Sequence, residues 1–260
     1  MAHALDLRRI DLYMRYDQPL SAEELANFKT LIKRRIKREP TAYIVGVKEF
    51  WSMGLCVTKD VLIPRPETEC LVERALEKMP EAVAGKEKPL TVLELGTGSG
   101  AITLALAAER PWNRYIASDR SAKALQVARE NAKRLQVSDF ISFFVGNWFD
   151  PLNFRSYFFD LILSNPPYIA TRVIEKLEPE VKDYEPFGAL NGGKDGMESL
   201  THIVEIAPRY LKPGGYLILE IGHDQGKSLA LSAEVGGYYE SCEIYHDYSG
   251  YDRVAVLKKK

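Results

Sequence analysis

Cysteine is scarce in this chain: Cys56, Cys70 and Cys242 are the only three. An odd, widely spaced set makes neither a disulfide framework nor a closed zinc site, and a reducing cytoplasm is the expected setting. Histidine is nearly as sparse, and His3, His202, His223 and His246 share no ligand spacing, so no metal is expected. Long apolar runs are missing too; none approaches the roughly 20 residues of a membrane-spanning helix, and MAHALDLRRIDLYM carries no secretory apolar core. Neither sign of charge dominates, with 35 Lys+Arg against 36 Asp+Glu. That balance excludes a strongly basic tail and argues against disorder of the whole chain. No Ser/His/Asp context marks a hydrolase, and no short repeat or low-complexity tract is present. What remains is a chain of 260 residues, 46% of them hydrophobic, long enough for one large or two modest domains around a sizeable core.

The front of the chain is helical. In SAEELANFKTLIKRRIKREP, Ser21 and Glu24 form a capping box, and Leu25, Phe28, Ile32 and Ile36 recur at a helical period as an apolar stripe. Lys33, Arg34, Arg35, Lys37 and Arg38 make its end basic, which reads first as a solvated helix terminus and second as a surface for a nucleic acid or an acidic partner. Pro40 stops the helix. GVKEFWSMGLCVTKD follows as a short β-hairpin with Trp51 as packing, and ETECLVERALEKMPEAV as a further helix, separated from the rest by a break around Gly85–Pro89.

From Leu90 the pattern changes to alternation. TVLELG, RYIASD, FISFFVG, FFDLILSN and YLILEIG read as strands, with helices at AITLALAAER, SAKALQVARENAKRLQ and THIVEIAPRYL between them. Ser121 caps the second helix, and Pro213, Gly214 and Gly215 turn the chain into the fifth strand. YESCEIYHD and YDRVAVLK close the chain as an antiparallel pair. This is an α/β chain with a mostly parallel sheet covered on both faces.

Two segments carry chemistry. Gly96, Gly98 and Gly100 lie between the first strand of that sheet and its helix, where glycines let a ligand approach the backbone and a helix amino end favours a polar group. Glu94 stands just before them, where a carboxylate reaches a cationic ligand. Asp119 ends the next strand, the position from which ribose hydroxyls are held. The loop lacks the Lys-Ser/Thr of a triphosphate-binding loop, and its third glycine falls one place early for the usual dinucleotide spacing. A dinucleotide and S-adenosylmethionine both fit this loop taken alone. The second segment is Asn165-Pro166-Pro167-Tyr168, at the exit of the fourth strand. Its prolines stiffen the chain and donate nothing, so the Pro166 carbonyl and the Asn165 amide oxygen are two fixed acceptors suited to the two hydrogens of a planar NH₂ group. Tyr168 would wall off the substrate with its ring and keep its hydroxyl at a wetter edge. Methyl transfer to such a nitrogen needs alignment more than a general base.

These motifs, with PTAYIVGVKEFWSMGLCVTKDVLIPRPETE, LELGTGSGAI, VGNWFDPL, EPEVKDYEPFGALNGGKDG and LKPGGYLILEIGHDQG, resemble the release factor glutamine methyltransferase family over nearly the full chain. The resemblance implies a seven-stranded Rossmann-like class I methyltransferase sheet with a small N-terminal helical domain. It divides the chain into a reduced helical recognition domain over 1–48, a connector over 49–75 and the catalytic domain over 76–260. The front part is shorter than the recognition domain so implied. S-adenosylmethionine would lie against Glu94, Gly96, Thr97, Gly98, Ser99, Gly100, Asp119, Asn147, Trp148 and Asn165, leaving S-adenosylhomocysteine as product. Asn147 departs from the acidic residue expected before this tryptophan. Asn165, Pro166, Pro167 and Tyr168, with Arg65 and Glu67 of the connector, would receive the glutamine of a Gly-Gly-Gln motif in class I peptide chain release factors, with Asn165, Pro166 and Tyr168 as the catalytic group. The protein is expected to be a monomer.

Around this reading stand glutamine methylation of a ribosomal protein, adenine N6 methylation of nucleic acid, and a cofactor-binding module without activity. The adenine reading ranks below because the basic stretch is confined mainly to residues 33–38. The segment from Ile169 to Met197 is expected to form a lid or peptide-binding wall. Its Glu178, Glu180, Asp183 and Glu185 suit a basic partner, and Gly188, Gly192, Gly193 and Gly196 supply flexibility or special turns. Asp160 reads as a local hydrogen-bond acceptor, and the cysteines as packing residues.

Overall fold

The structure is a computed structural model and describes residues 1–81, 88–152 and 158–260. At the front lie helices α1 (Arg9–Met14), α2 (Ala22–Ile36) and α3 (Thr41–Val45). The capping box forms as expected, Glu24 N donating to Ser21 Oγ at 3.1 Å and Ser21 N to Glu24 Oε2 at 2.7 Å. The apolar stripe does not become a core: no residue of α2 is buried, and Ile36 is 74% exposed. Its neighbours, the short helical turn at Ala2–Leu5 and α3, are too small to cover that face.

The connector begins as a two-stranded antiparallel hairpin, β1 (Val47–Phe50) and β2 (Met53–Cys56), whose Phe50 and Leu55 are buried in the main core. Helix α4 (Glu69–Glu77) follows a 3₁₀ turn at Pro66–Thr68. It ends before Lys78, short of the helical pattern read toward Val83, and Ala82 and Val83 lie outside the described residues, as does most of the Gly85–Pro89 break.

The sheet is built from β3 (Thr91–Leu95), β4 (Arg114–Asp119), β5 (Ile141–Val145), β6 (Phe159–Ser164), β7 (Leu211–Glu220), β8 (Tyr239–His246) and β9 (Asp252–Lys259). Helices α5 (Ala101–Glu109) and α6 (Ala122–Arg134) alternate with the first strands. Three short helices α7 (Thr171–Ile174), α8 (Pro179–Lys182) and α9 (Phe187–Leu190) follow β6, and α10 (Glu198–Ile206) and α11 (Gly226–Gly236) flank β7. Strand order is β5-β4-β3-β6-β7-β9-β8, parallel through β7, with β9 and β8 forming the expected antiparallel pair at one edge. Alternation splits the core: Val92 packs toward α4 and α5, and Leu93 and Leu95 toward α10 and α11. The Pro213–Gly215 turn is absorbed into β7 as an irregularity, the ladder passing from Phe159 opposite Leu211 to Leu161 opposite Tyr216. Asp160 accepts from Thr91 N and Lys212 Nζ, so it ties adjacent strands together at their start.

The chain runs outward from β3 to β4 and β5, then returns to lay β6 on the other side of β3. Ligands of open α/β sheets bind beyond the carboxyl ends of strands at such a reversal. The residues after β3 and after β6 are the glycine loop and Asn165-Pro166-Pro167-Tyr168, so topology alone sets the two motifs side by side.

Candidate active site

A cavity of about 500 Å³ opens at that place. Its floor is Glu94 and Gly96–Ser99; Asp119 and Arg120 line one side, Asn147 and Trp148 another, and Asn165 and Pro167 a third. Arg65 and Thr68 of the connector and Pro186, Gly188 and Asn191 of the later segment complete the wall.

The loop at the floor is shaped by its backbone. Gly96 and Gly98 have φ of +71° and +56°, a region that L side chains rarely enter, and a Cβ added at Gly98 would meet nothing within 4 Å. The backbone thus lies bare toward the cavity. Asp119 fixes the loop, its two carboxylate oxygens accepting from Gly98 N at 2.9 Å and Ser121 N at 2.8 Å. Gly100, expected among the cofactor contacts, does not line the cavity. It caps α5, where a Cβ would stand 2.9 Å from Leu104 and 3.3 Å from Ala128, so it serves helix packing.

Glu94 occupies a core-facing position of β3 and is 1% exposed. Its Oε2 accepts from Thr97 Oγ1 at 2.7 Å, Thr103 N at 3.1 Å and Thr103 Oγ1. Burial pushes this carboxyl up to about 7, against the opposing hydrogen bonds from Thr103 and Thr97. A cation arriving at the cavity therefore meets a carboxyl ready to ionise.

Trp148 has φ of +48°, an uncommon conformation for a bulky residue that costs on the order of 1–3 kcal/mol. The strain is tied to placement: the indole reaches over Gly96, where a Cβ would lie 3.8 Å away. Asn147 is exposed on the cavity rim and donates to Asp150 Oδ2 at 3.2 Å.

Of the four-residue segment after β6, Asn165 and Pro167 line the cavity. Asn165 Nδ2 donates to Thr68 Oγ1 at 3.3 Å, which leaves Oδ1 as the amide's acceptor. Pro166 is buried, and among the described residues nothing donates to its carbonyl. Tyr168 differs from expectation. Its hydroxyl sits at no wet edge but donates to Glu220 Oε1 at 3.0 Å, and burial, with Glu220 second, pushes its pKa up.

Arg65 reaches the cavity as expected; Glu67 does not, being exposed outside it. The residue of that stretch turned inward by the 3₁₀ turn is Thr68, 4% exposed. Sequence reasoning also missed what holds the wall. Glu185, buried at 6% exposure, pairs with Arg65 and accepts from Ile63 N at 3.1 Å. Glu180 takes Arg35 at 2.7 Å and Arg38 Nε at 2.8 Å, Glu178 takes Arg38 at 2.6 Å, and Tyr184 donates to the Lys37 carbonyl at 2.6 Å. Arg35 and Arg38 at the basic end of α2 and Glu178 and Glu180 after β6, read separately as surfaces for partners, are instead each other's partners. The glycines there likewise serve close approach. A Cβ at Gly192 would stand 2.8 Å from the Pro167 carbonyl oxygen, and one at Gly196 would collide with that of Tyr168.

Among the described residues no group of His, Cys, Asp or Glu could hold a metal ion, all three cysteines are free, and no helix is long and apolar enough to cross a membrane.

Residues 86–247 match a family model described as a methyltransferase domain, and residues 1–46 one described as the PrmC N-terminal domain. Among solved structures, the human methyltransferase 10 domain containing protein superposes with a TM-score of 0.60 at 16% identity, covering 92% of this chain and 99% of that one. A methyltransferase from Pyrococcus furiosus gives 0.55 at 19%, covering 90% and 98%. The fold, with its cavity at the strand reversal, is that of a class I methyltransferase, and the chain is an S-adenosylmethionine-dependent methyltransferase. Its sequence relatives narrow the family. The release factor glutamine methyltransferase of Geobacter sulfurreducens is 42% identical over 98% of this chain and 85% of its own length. That of Caulobacter vibrioides is 43% identical over 91% and 79%, and that of Thermodesulfovibrio yellowstonii 39% over 100% and 90%. The chain belongs to the release factor glutamine methyltransferase family.

Proposed function

We propose that the protein transfers the methyl group of S-adenosylmethionine to the side-chain amide N5 of the glutamine in the Gly-Gly-Gln motif of class I peptide chain release factors. The observation that carries this reading is Asn165: it lines the cavity beside the glycine loop, its NH₂ is engaged by Thr68, and its Oδ1 is left to accept. An acceptor so placed suits a substrate NH₂.

The residues present fit the cofactor. The bare backbone of Gly96–Ser99 would lie along its methionine part, Asp119 would accept from its ribose hydroxyls, and Trp148 and Asn147 would flank its adenine. Glu94, pushed toward neutrality by burial, would ionise against its positive charge. When bound, S-adenosylmethionine supplies an electrophilic methyl on a positively charged sulfur. Asn165 Oδ1 and the Pro166 carbonyl accept the two amide hydrogens, holding the nitrogen toward that methyl and opposing the resonance that drains its lone pair. The surplus proton leaves to solvent once the new N–C bond has formed. Tyr168, tied to Glu220, keeps the segment rigid, and Arg65 stands at the wall where peptide enters.

The adenine alternative loses support from the charge pairs. Arg34, Arg35 and Arg38 are paired with Glu39, Glu180 and Glu178, leaving little basic track for a phosphate backbone. We further read 1–48 as the recognition domain, 49–75 as the connector and 76–260 as the catalytic domain of a cytoplasmic monomer. The test is incubation with labelled S-adenosylmethionine and a class I release factor, followed by mapping of the label. Label on the Gly-Gly-Gln glutamine is expected; equal labelling after that glutamine is replaced overturns the reading. Label confined to adenine or to a ribosomal-protein glutamine selects another substrate.

A further inference from the structure

The orientation of the Asn165 amide is itself a design problem. An Asn side chain rotated by half a turn exchanges a C=O for an NH₂ with almost no change of shape, and only one of the two orientations can accept from a substrate amide. Thr68 bonds Asn165, but a hydroxyl both donates and accepts, so Thr68 alone cannot choose.

The choice requires a group on the far side of Thr68 that accepts its proton, as an ionised carboxylate does. Glu220 ends β7, the neighbour of β6, and is 1% exposed. Its Oε1 accepts from the Tyr168 hydroxyl, while Oε2 is buried and, among the described residues, has no hydrogen-bond partner. The register of Ser164 opposite Leu219 sets Glu220 beside Asn165 across the sheet, and although burial raises the pKa of its carboxyl, Thr68, Tyr168 and the Arg253 guanidinium lower it. Arg253 is itself anchored, Nη2 donating to Asp247 Oδ2 at 3.1 Å.

We propose that Thr68 and Glu220 are positioning residues that set the polarity of the Asn165 amide: Glu220 draws the Thr68 proton, Thr68 turns its lone pair to Asn165 Nδ2, and Asn165 Oδ1 is thereby aimed at the substrate. The proposal rests on the reading of Asn165 as an acceptor for a glutamine NH₂. A chain of this kind transmits no charge; it transmits direction. Its reversal is also foreseeable. Glutamine at position 220 would keep the bond from Tyr168 through its oxygen and present NH₂ to Thr68. Thr68 would then donate to Asn165 and turn the wrong face of the amide to the cavity.

The experiment measures turnover on a release factor, KM for that substrate, and cofactor affinity by calorimetry. It compares the natural protein with Thr68→Val, Thr68→Ser and Glu220→Gln. If the natural protein does not label the Gly-Gly-Gln glutamine, the substrate reading has failed; given that labelling, the variants judge the positioning alone. Thr68→Val and Glu220→Gln are each expected to lose about 10- to 100-fold in kcat, the effect of a misdirected buried polar group, with cofactor Kd within about threefold. Thr68→Ser, which keeps the hydroxyl, is expected to recover most of the activity. Glu220→Gln retaining at least half of kcat would overturn the proposal, as would Thr68→Ser failing alongside Thr68→Val. A loss of cofactor affinity in step with kcat would mark both residues as merely structural.

Discussion

The two sides of the cavity are built by opposite means. The side proposed for the cofactor is built around the loop at the carboxyl ends of β3 and β4, and the bond from Gly98 N to Asp119 ties it within one βαβ unit. The side proposed for the substrate is assembled from pieces far apart in the chain, and its ties are side-chain charges and hydroxyls: Arg65 with Glu185, Thr68 with Asn165, Arg35 and Arg38 with Glu180. A site for an invariant small molecule tolerates a rigid, locally encoded cradle. A site for a protein loop is walled by a segment fastened at several points, each separately adjustable.

If that division is real, the two sides fail differently when cut. The largest effect is expected from Asn165→Ala, which removes the acceptor. Turnover should fall by about 10²–10³-fold, comparable with loss of one oxyanion-hole donor, while calorimetry finds cofactor affinity within a few-fold. Loss of both together would erase the distinction at its centre. Glu185→Ala comes next. It strands the Ile63 N–H and the Arg65 guanidinium, with an expected cost of about 1–3 kcal/mol in denaturant unfolding and a raised KM for the release factor. Unchanged KM would show that the wall takes no part in substrate binding.

A smaller effect sharpens the cofactor side. Because the Glu94 carboxyl stands at about 7, it is partly protonated near neutrality, and a positively charged cofactor should draw its pKa down. Binding at pH 7 is expected to release a fraction of a proton, read as a dependence of the calorimetric enthalpy on buffer ionisation; Glu94→Gln should abolish it. The smallest effect concerns the clasp between α2 and α8. Arg35 first, then Arg38, hold the Glu180 carboxyl down at about 2. Since its folded pKa is depressed, the contribution of this group is fully present above its ordinary value and is lost as pH falls from there toward about 2. The two arginines are solvent-exposed and Glu180 is only partly buried beneath them, so Arg38→Ala should barely move the melting temperature at neutral pH, and salt should mimic it.

The same contrast explains what could be read from sequence. Gly96–Gly100 and Asn165–Tyr168 announce themselves because the conformations they need are encoded within a few consecutive residues, and the strand RYIASD was legible to its boundaries for the same reason. Thr68, Glu185 and Glu220 were not, because each acquires meaning only from a partner 97, 120 or 52 positions away. In sequence they are a hydroxyl in a proline-rich stretch, one acid among several, and the end of a strand. Tyr168 was misjudged for a related reason: a tyrosine beside two prolines looks like a pocket wall until β7 brings a carboxylate beneath it. The α2 stripe failed in the other direction, since periodicity reports which face is apolar and is silent on whether anything covers it.

The clasp also has a history in time. Arg35 and Glu180 lie 145 positions apart, and their loop encloses the hairpin and the strands from β3 to β6. During synthesis α2 emerges before α8 and waits, Arg35 and Arg38 in water, until four strands of the sheet have followed. The entropy of closing so long a loop falls due only when α8 arrives. The nascent chain can therefore complete the glycine loop and its Asp119 tie well before the wall around α8 is in place.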